Sequence, residues 1–460
     1  MSTDGAQPTR SSRSAHRTLT GPGTRTLALL VAIAFLLRVG LVLVASVDPE
    51  RMLQTDSAGY LALAGDLGSY LGADGEHLGW SLKRPPGYPL LLHLLMQILG
   101  FGIVGVALTQ ALLGALTVAL VGVLGRRLHG VNAGNVAAGI VALDPTLVVQ
   151  SAFVLAEALF TFLLVLATLL LTAQGADRRR RRAGLAGLIL GVAVLVRPIA
   201  LPLLPGLALA VLLRRDPLRE RLVAATLVLG VAGALVGGMM LHNHARAGVA
   251  TVSTVSTTNL LEYRAAGLAA VNDPDVSFLD RTLRVRDDRA EVERLNAIVA
   301  ARLPAAASRA EEEAVRTDLA LELLLADPAG TIQVVGEGVL MNMFRPTLAG
   351  TSQWRLFGST RAPGELSTAA WVLAVAEAVV LGLLLLVAAL GIVRLAARRD
   401  AATTALLLLP AVGLIVLSAG LESYARFRGP AMPFIALLAA IAMNATGSRS
   451  SASVPTTSGR

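Results

Sequence analysis

Two uncharged apolar runs, residues 103–125 and 222–241, constrain the fold of this chain more than any other feature of its sequence. A helix needs about 20 residues to cross a hydrocarbon core about 30 Å thick, and both runs reach that length. Within lipid, only helices and closed barrels satisfy every backbone N–H and C=O group. Because hydrophobic residues make up 54% of the chain, we predict an all-α polytopic membrane protein.

The apolar runs together predict about ten transmembrane helices. We place these spans at 26–46, 102–125, 132–151, 154–174, 183–196, 199–213, 222–243, 367–393, 401–419 and 430–446. Residues 86–100 are too short to span, so we predict an interfacial or re-entrant helix there. We divide the run 183–213 at Arg197-Pro198, because the residue before a proline disfavours helix.

The net charge of +9 does not indicate a nucleic-acid partner, because the Arg clusters lie between apolar runs. Lys and Arg number 20 in the segments on one predicted side: 1–25, 126–127, 178–182, 214–221, 394–399 and 446–460. They number six in the segments on the opposite side: 47–101, 197 and 420–429. Positively charged loops favour the cytoplasmic side. We therefore expect a plasma-membrane protein with both termini in the cytoplasm.

This topology divides the chain into five parts. They are a disordered cytoplasmic tail at 1–25, an N-terminal transmembrane module at 26–243, an external segment at 244–366, C-terminal transmembrane helices at 367–446 and a disordered tail at 447–460. The module contains the first external loop, 47–101, in which we predict amphipathic helices. In the external segment we predict a helix that opens at Ser308, with Glu311 completing a capping box.

The first external loop holds the residues best suited to chemistry. The chain has 39 Arg and a single Lys, and that Lys83 stands beside Arg84 before two prolines that stiffen the backbone. The pair could contact a phosphate or could snorkel toward lipid head groups. Asp56 could cap a helix over 57–70, could act as a general base, or could do both.

Further charged residues lie within spans or near their outer ends. Glu157 begins an otherwise uncharged span, where a carboxylate costs a few kcal/mol unless it meets water, a cation or a substrate. Asp144, Arg38 and Glu377 are as compatible with holding helices together as with contacting a substrate. The absence of Cys excludes disulfides, thiolate catalysis and Cys-ligated metals.

Three arginines from separate loops complete the set on the predicted outer side: Arg197, Arg426 and Arg428. The planar guanidinium group can bind two phosphate oxygens at once. Together with the nearby acids, these arginines predict a pocket for an anionic lipid. Taken one at a time, each could instead be an interfacial anchor.

The residues above occur in the order found in the GT-C superfamily of glycosyltransferases. The chain resembles the branch containing protein O-mannosyltransferases and lipid A aminoarabinose transferases. The resemblance rests on Arg38, Asp56-x-x-x-Tyr60, KRPPGYPLLL, LAEALFTFLL, VLVRPIALPLLP, HNHARAG…STTNL and YARFRGPAMPFIALLA. The chain departs from this pattern at His242, where relatives more often have Arg, and this weakens any role for Asn243.

The resemblance implies transfer of a sugar from a polyprenyl phosphate to an acceptor hydroxyl at the outer membrane face, with inversion and without a cofactor or metal. It implies that Asp56 is the loop acid that acts as base or positions the acceptor, and we expect it to be the base. Glu157 matches the second acidic site of the catalytic set, where it would orient the acceptor or sugar. Arg84, with Lys83, matches the basic position that meets the donor phosphate. We expect one or more of Arg197, Arg426 and Arg428 to contact that phosphate too, and we expect the acceptor or sugar pocket to include Tyr60 and Tyr88. The expected partners are the lipid-linked donor, membrane lipids and an acceptor glycan, lipid or protein.

Two other functions fit parts of the sequence. A transporter or flippase of lipid-linked sugars would also carry intramembrane charges and basic sites. It would more often show paired repeats and charges through the full membrane depth. A non-catalytic assembly factor would only bind lipid, but both Asp56 and Arg84 are present.

Overall fold

The computed structural model describes residues 22–72, 77–275, 289–359, 367–420 and 423–444, and all regular elements in these ranges are helices. Most of the two predicted tails lies outside the described residues. The α-helices are α1 Pro22–Ala45, α2 Thr55–Gly65, α3 Leu78–Lys83, α4 Gly87–His93, α5 Ile103–His129, α6 Val131–Leu143, α7 Pro145–Gln150, α8 Glu157–Leu171, α9 Ala176–Val196, α10 Leu203–Leu212, α11 Leu218–Ala247, α12 Val255–Thr258, α13 Ala266–Val271, α14 Arg289–Arg302, α15 Arg309–Ala326, α16 Pro328–Phe344, α17 Thr351–Arg355, α18 Thr368–Ala397, α19 Ala401–Leu417, α20 Ala425–Arg428 and α21 Met432–Met443.

Five helical stretches are long and apolar enough to cross a membrane, which confirms a multi-pass helical membrane protein. They are Gly23–Ala45, Ile103–His129, Leu218–Ala247, Thr368–Ala397 and Ala425–Met443. The bent pair α15 and α16, with 102° between the helices, would make a sixth if it counts as one span. Five other apolar helices are shorter, at 10–17 residues: Gly87–Ile98, Val131–Leu143, Glu157–Leu171, Pro198–Leu212 and Ala401–Leu417. By length and composition, the described residues therefore show five or six candidate spans, and the predicted count of ten is not shown.

Small residues let the helices of the module approach closely. A Cβ on Gly125 would come 2.8 Å from the Cα of Gly134, at the crossing of α5 and α6. A Cβ on Gly187 would come 2.7 Å from the carbonyl oxygen of Val228, where α9 crosses α11. In lipid there is no hydrophobic driving force between helices, so close packing of their backbones helps to hold the helices together.

The chain breaks its helix at Arg197, as predicted. α9 ends at Val196, Arg197 is extended, and a 3-10 turn over Pro198–Ala200 leads to α10. Gly87 lies against this break, since a Cβ there would come 2.7 Å from the carbonyl oxygen of Leu195. This contact brings the segment after Lys83 and Arg84 next to Arg197.

The prediction that Asp56 caps a helix over 57–70 is wrong. α2 begins at Thr55, two residues before the predicted start at 57, and its N-terminal box is formed by Gln54 and Ser57. Asp56 lies in the first turn, and its side chain is left for other partners. The helix also ends at Gly65, before a separate 3-10 turn over Leu67–Tyr70.

The segment 244–366 forms a small second core. Its members include Leu261, Leu295 and Leu319, from three separate helical elements. The predicted capping box is confirmed, because the Ser308 hydroxyl accepts from the N–H of Glu311 and the Glu311 carboxylate accepts from the N–H of Ser308.

Three buried charges bond to backbone groups of the helical fold. The Arg38 guanidinium donates to the carbonyls of Val141 and Ala142, so it ties α1 to the end of α6. Asp144 caps α7 by accepting from the N–H of Leu147. Glu377 accepts from two backbone N–H groups in the 3-10 turn Thr347–Ala349, at 2.8 and 2.9 Å. Each of these groups hydrogen-bonds to the backbone, which offsets the free-energy cost of burying a charge.

Candidate active site

Asp56 lies between two arginines that come from opposite ends of the sequence. Its Oδ1 is 3.0 Å from Nη2 of Arg84, and its Oδ2 is 2.7 Å from Nη2 of Arg426. Arg84 directly follows α3, and Arg426 lies on α20. One carboxylate therefore joins the first loop to the last helical segment, with both of its oxygens engaged.

Aromatic rings hold the Arg84 guanidinium in place. Its centre lies 4.4 Å from the ring of Tyr60 and 5.2 Å from the ring of Trp80. The hydroxyl of Tyr70 donates to the carbonyl of Arg84 at 2.8 Å. Cations over aromatic faces are stabilised by the ring quadrupole, so Arg84 is fixed from both its backbone and its side chain.

A second ion pair joins Glu157 to Arg197 at 2.6 Å. Glu157 occupies the first turn of α8 and is buried, with its side chain only 4% exposed. Arg197 lies between the rings of Phe160 and Phe427, whose centroids are 5.9 and 6.0 Å from its guanidinium. The helix break after α9 delivers Arg197 to this position.

These groups surround a cavity of about 360 Å³. Its charged lining is Asp56, Lys83, Arg84, Arg197, Arg264 and Arg426. Five cations thus face one carboxylate. Within the described part of the chain, no carboxylate lies within 4 Å of the Lys83 ammonium group. Ile199, Leu260 and Leu417 contribute apolar wall. The cavity can hold a group that is anionic at one end and apolar at the other.

The charge balance keeps Asp56 ionised. Burial alone would favour the neutral acid, but the guanidinium groups of Arg426 and Arg84 outweigh it and hold the pKa of the Asp56 carboxyl far below its usual range. A carboxylate in this state is a strong counter-ion and a weak base.

Sequence reasoning missed Arg264, together with Asn259 and Tyr263, which also line the cavity. Arg264 donates to the carbonyls of Leu417 and Ala419 at the end of α19. Asn259 belongs to the STTNL segment and Tyr263 and Arg264 follow it, and all three lie in a short π-helical stretch, Asn259–Ala265. A π-helical turn often marks a functional site, but no sequence pattern indicated one here.

The structure does not bring every predicted residue to the cavity. Arg428 points away from Arg426 because residues two apart on a helix do not face one side. Its guanidinium is buried and donates to the carbonyls of Asn342, Met343 and Arg345. Arg428 also bonds to Thr146 and lies 3.5 Å from Glu377. It joins three segments and does not line the cavity.

Tyr88, Glu157 and Asn243 also lie behind the cavity wall. Tyr88 is fully buried, packs edge-on against Tyr60 at 4.9 Å, and donates to Gln110. Glu157 reaches the cavity only through Arg197. Asn243 is buried and donates to the carbonyl of Thr251, a structural role in keeping with the weakened expectation for this residue. Among the described residues, no group of three His or carboxylate side chains comes together as a metal-ligand set.

Comparison with known proteins gives a sequence match and several structural matches. Residues 83–240 match the family model described as dolichyl-phosphate-mannose-protein mannosyltransferase. No curated protein sequence matches. The apo crystal structure of the Archaeoglobus fulgidus oligosaccharyltransferase is 15% identical with a TM-score of 0.51, covering 94% of this chain and 51% of that one.

Two further solved structures resemble the chain. The Archaeoglobus fulgidus oligosaccharyltransferase AglB, in complex with an inhibitory peptide and a dolichol-phosphate, is 15% identical with a TM-score of 0.50, covering 92% of this chain and 50% of that one. ArnT from Cupriavidus metallidurans, bound to undecaprenyl phosphate, is 16% identical with a TM-score of 0.39, covering 92% and 77%. The chain therefore spans about half the length of the archaeal proteins.

The chain shares its helical fold with the Archaeoglobus fulgidus oligosaccharyltransferase, and the resemblance to the protein O-mannosyltransferases predicted from the sequence is confirmed over residues 83–240. The matching stretch, residues 83–240, contains Lys83, Arg84, Glu157 and Arg197 and covers less than half of the chain.

Proposed function

We propose that this protein is a membrane glycosyltransferase that moves a sugar from a polyprenyl phosphate to an acceptor hydroxyl at the outer face of the cytoplasmic membrane. One arrangement supports this most directly: a small cavity in which five cations face a single carboxylate. The match of residues 83–240 to a dolichyl-phosphate-mannose-protein mannosyltransferase model supports such a donor, as does the dolichol-phosphate in the archaeal complex.

The donor phosphate binds among Lys83, Arg84, Arg197 and Arg426. It replaces the Asp56 carboxylate as the partner of Arg84 and Arg426, since a phosphate oxygen accepts the same charge-assisted bonds. Lys83 contributes a cation that no carboxylate in the described chain neutralises. The lipid tail leaves past the apolar wall that includes Ile199. Glu157 is a positioning residue that holds Arg197 in the cavity.

Transfer then proceeds in one displacement. The acceptor oxygen attacks the anomeric carbon, and the bond from that carbon to the phosphate oxygen breaks, with its electron pair leaving on the phosphate. The acceptor proton passes to Asp56, whose basicity has risen because its arginines now serve the phosphate. The arginines stabilise the negative charge that develops on the leaving group. The anomeric centre inverts because no covalent intermediate forms.

The first prediction concerns the donor phosphate. We expect Arg84→Gln to weaken binding of undecaprenyl phosphate about ten- to hundredfold, because a hydrogen bond to a charged group contributes about 1.5–3 kcal/mol. Titration of purified protein in detergent measures the effect. Arg355→Gln removes the same charge from an exposed position outside the cavity and should bind like wild type. Equal affinities for the two variants in folded protein would refute the assignment.

Gly59 provides a second test that leaves every charged residue in place. A Cβ on Gly59 would overlap the indole ring of Trp80 and come 2.7 Å from Nε of Arg84. We expect Gly59→Ala to displace Arg84 and lower turnover about ten- to hundredfold, the cost of misplacing a catalytic group by about 1 Å. Gly65→Ala on the same helix meets nothing within 4 Å and should be harmless. A fully active Gly59→Ala enzyme would show that Arg84 need not be held in this position.

The ten-span topology and the outer location of the cavity are part of this proposal. The chain has no Cys, so single-Cys variants can be labelled without background. We expect Leu71→Cys, at an exposed position of the first loop, to react with a membrane-impermeant maleimide in intact cells. We expect Gln174→Cys, exposed after α8, to react only after permeabilisation. The reverse pattern would invert the orientation.

The overall activity is tested with purified protein in nanodiscs that contain an undecaprenyl-phosphate-linked sugar and cell-envelope extract as the acceptor source. We expect free undecaprenyl phosphate to accumulate together with sugar attached to the acceptor. Movement of intact donor between leaflets of proteoliposomes, without release of undecaprenyl phosphate, would instead identify a flippase.

A further inference from the structure

A second, larger cavity of about 1170 Å³ lies among the ends of helices and is lined by many arginines. Its wall combines the end of α5, the chain after α8, the start of α9, the turn after α10, and the connection between α18 and α19. The arginines are Arg127, Arg178, Arg179, Arg182, Arg214, Arg215, Arg398 and Arg399.

This basic cavity lies at the opposite end of the helical module from the Asp56 cavity. α9 carries Arg178, Arg179 and Arg182 in its first two turns, and Arg197 follows its last residue. At 1.5 Å per residue, its 21 residues separate the two ends by about 31 Å. Likewise, α19 runs from Thr403 in the basic cavity to Leu417 in the Asp56 cavity. The two cavities are separate sites.

The positive charge of the basic cavity is only partly neutralised. Asp216 pairs with Arg179 at 2.7 Å and with Arg214 at 2.9 Å. Asp400, the other carboxylate in the wall, caps α19 by accepting from the N–H of Thr403. In the described ranges, no carboxylate forms an ion pair with the other six arginines of the wall.

A general excess of positive charge in the loops would not by itself bring these arginines onto one surface. Connections that are far apart in sequence deliver them to one concave surface. The Arg215 guanidinium donates to the carbonyl of Arg399, which links the α10–α11 turn to the α18–α19 turn. Arg399 has a φ of 52°, and it is the single non-glycine among the described residues with a positive φ. That backbone conformation is unfavourable for an L-residue.

We propose that the basic cavity binds an anion that carries phosphate charge, held by arginine forks from several helix ends. Arginine is suited to this role because its planar guanidinium binds two phosphate oxygens at once. The phosphate belongs either to the head group of an anionic phospholipid or to a soluble polyphosphate, and both present the same chemistry. The site is independent of the donor phosphate, which binds about 31 Å away at the other end of α9.

The test compares thermal unfolding of the purified full-length chain in nanodiscs. One arm adds inorganic pyrophosphate to nanodiscs of phosphatidylcholine alone. The other arm replaces a fifth of the lipid with phosphatidylglycerol. We expect a rise of several degrees in Tm in at least one arm, since a ligand that binds the folded state stabilises it. A rise with pyrophosphate identifies a soluble ligand, and a rise with phosphatidylglycerol identifies a lipid head group.

Matched variants locate the effect. Arg178→Gln combined with Arg182→Gln removes two arginines from the wall and should abolish the rise. Arg181→Gln combined with Arg219→Gln removes the same charge from exposed positions outside the cavity and should retain it. Arg84→Gln should retain it too. The proposal is overturned if neither probe raises Tm, if both double variants lose the rise equally, or if Arg84→Gln abolishes it.

Discussion

Asp56→Asn should reduce turnover about a hundredfold or more while the protein still binds the donor. The loss of turnover follows because an amide cannot accept the acceptor proton, and a general base contributes about 10²–10⁴-fold. Affinity for undecaprenyl phosphate should stay at the wild-type level or increase. The reason is that Arg84 and Arg426 lose the carboxylate that competes with the phosphate for them. Steady-state turnover and donor titration together measure the two effects.

Glu50→Gln is the control for this prediction. Glu50 is an exposed carboxylate of the same loop and does not line the cavity. It should behave as wild type in both measurements. A fully active Asp56→Asn enzyme would reduce Asp56 to a counter-ion. A variant that no longer binds donor would show that the carboxylate organises the phosphate site instead of competing with it.

Arg428→Met should destabilise the folded protein by about 3–5 kcal/mol, the usual cost of removing one partner from a buried ion pair. Met is of similar length, so it preserves most of the packing. It leaves the carbonyls of Asn342, Met343 and Arg345 without the guanidinium that they share. Thermal unfolding in mild detergent should show a clearly lower Tm, while the fraction that remains folded binds donor with wild-type affinity.

Arg426→Met provides the contrast, because it changes the same side chain two residues earlier on the same short helix. Arg426 lines the cavity and pairs with Asp56, so this variant should lose donor affinity and keep more of its stability. If Arg428→Met were stable and defective in donor binding, the roles of the two arginines would be exchanged.

The sequence was enough to predict the membrane class, the helix break at Arg197 and most of the charged cavity. Each depends on a local signal: an apolar run, a proline, or a charge at the edge of an apolar run. The charged residues also gathered as predicted, with Asp56, Lys83, Arg84, Arg197 and Arg426 around one cavity.

The errors concern side-chain direction, which depends on helix register. Arg426 and Arg428 look equivalent in sequence. They are two residues apart, about half a helical turn, so Arg426 faces the cavity and Arg428 faces buried carbonyls. Asp56 looked like a cap because the start of α2 was placed two residues late. Arg264 carried no local signal, since it reaches the cavity only through the packing of its π-helical segment against the end of α19.

The bridge from Asp56 to Arg84 and Arg426 also has a consequence for the order of events at the end of a catalytic cycle. In the proposed mechanism, Asp56 is neutral once it has taken the acceptor proton, and it then cannot displace the polyprenyl phosphate from the arginines. Loss of that proton to water restores the carboxylate, which then competes for the same guanidinium groups and drives the spent lipid out. Deprotonation would thus act as the release step, and in the empty cavity Asp56 would again pair with Arg84 and Arg426.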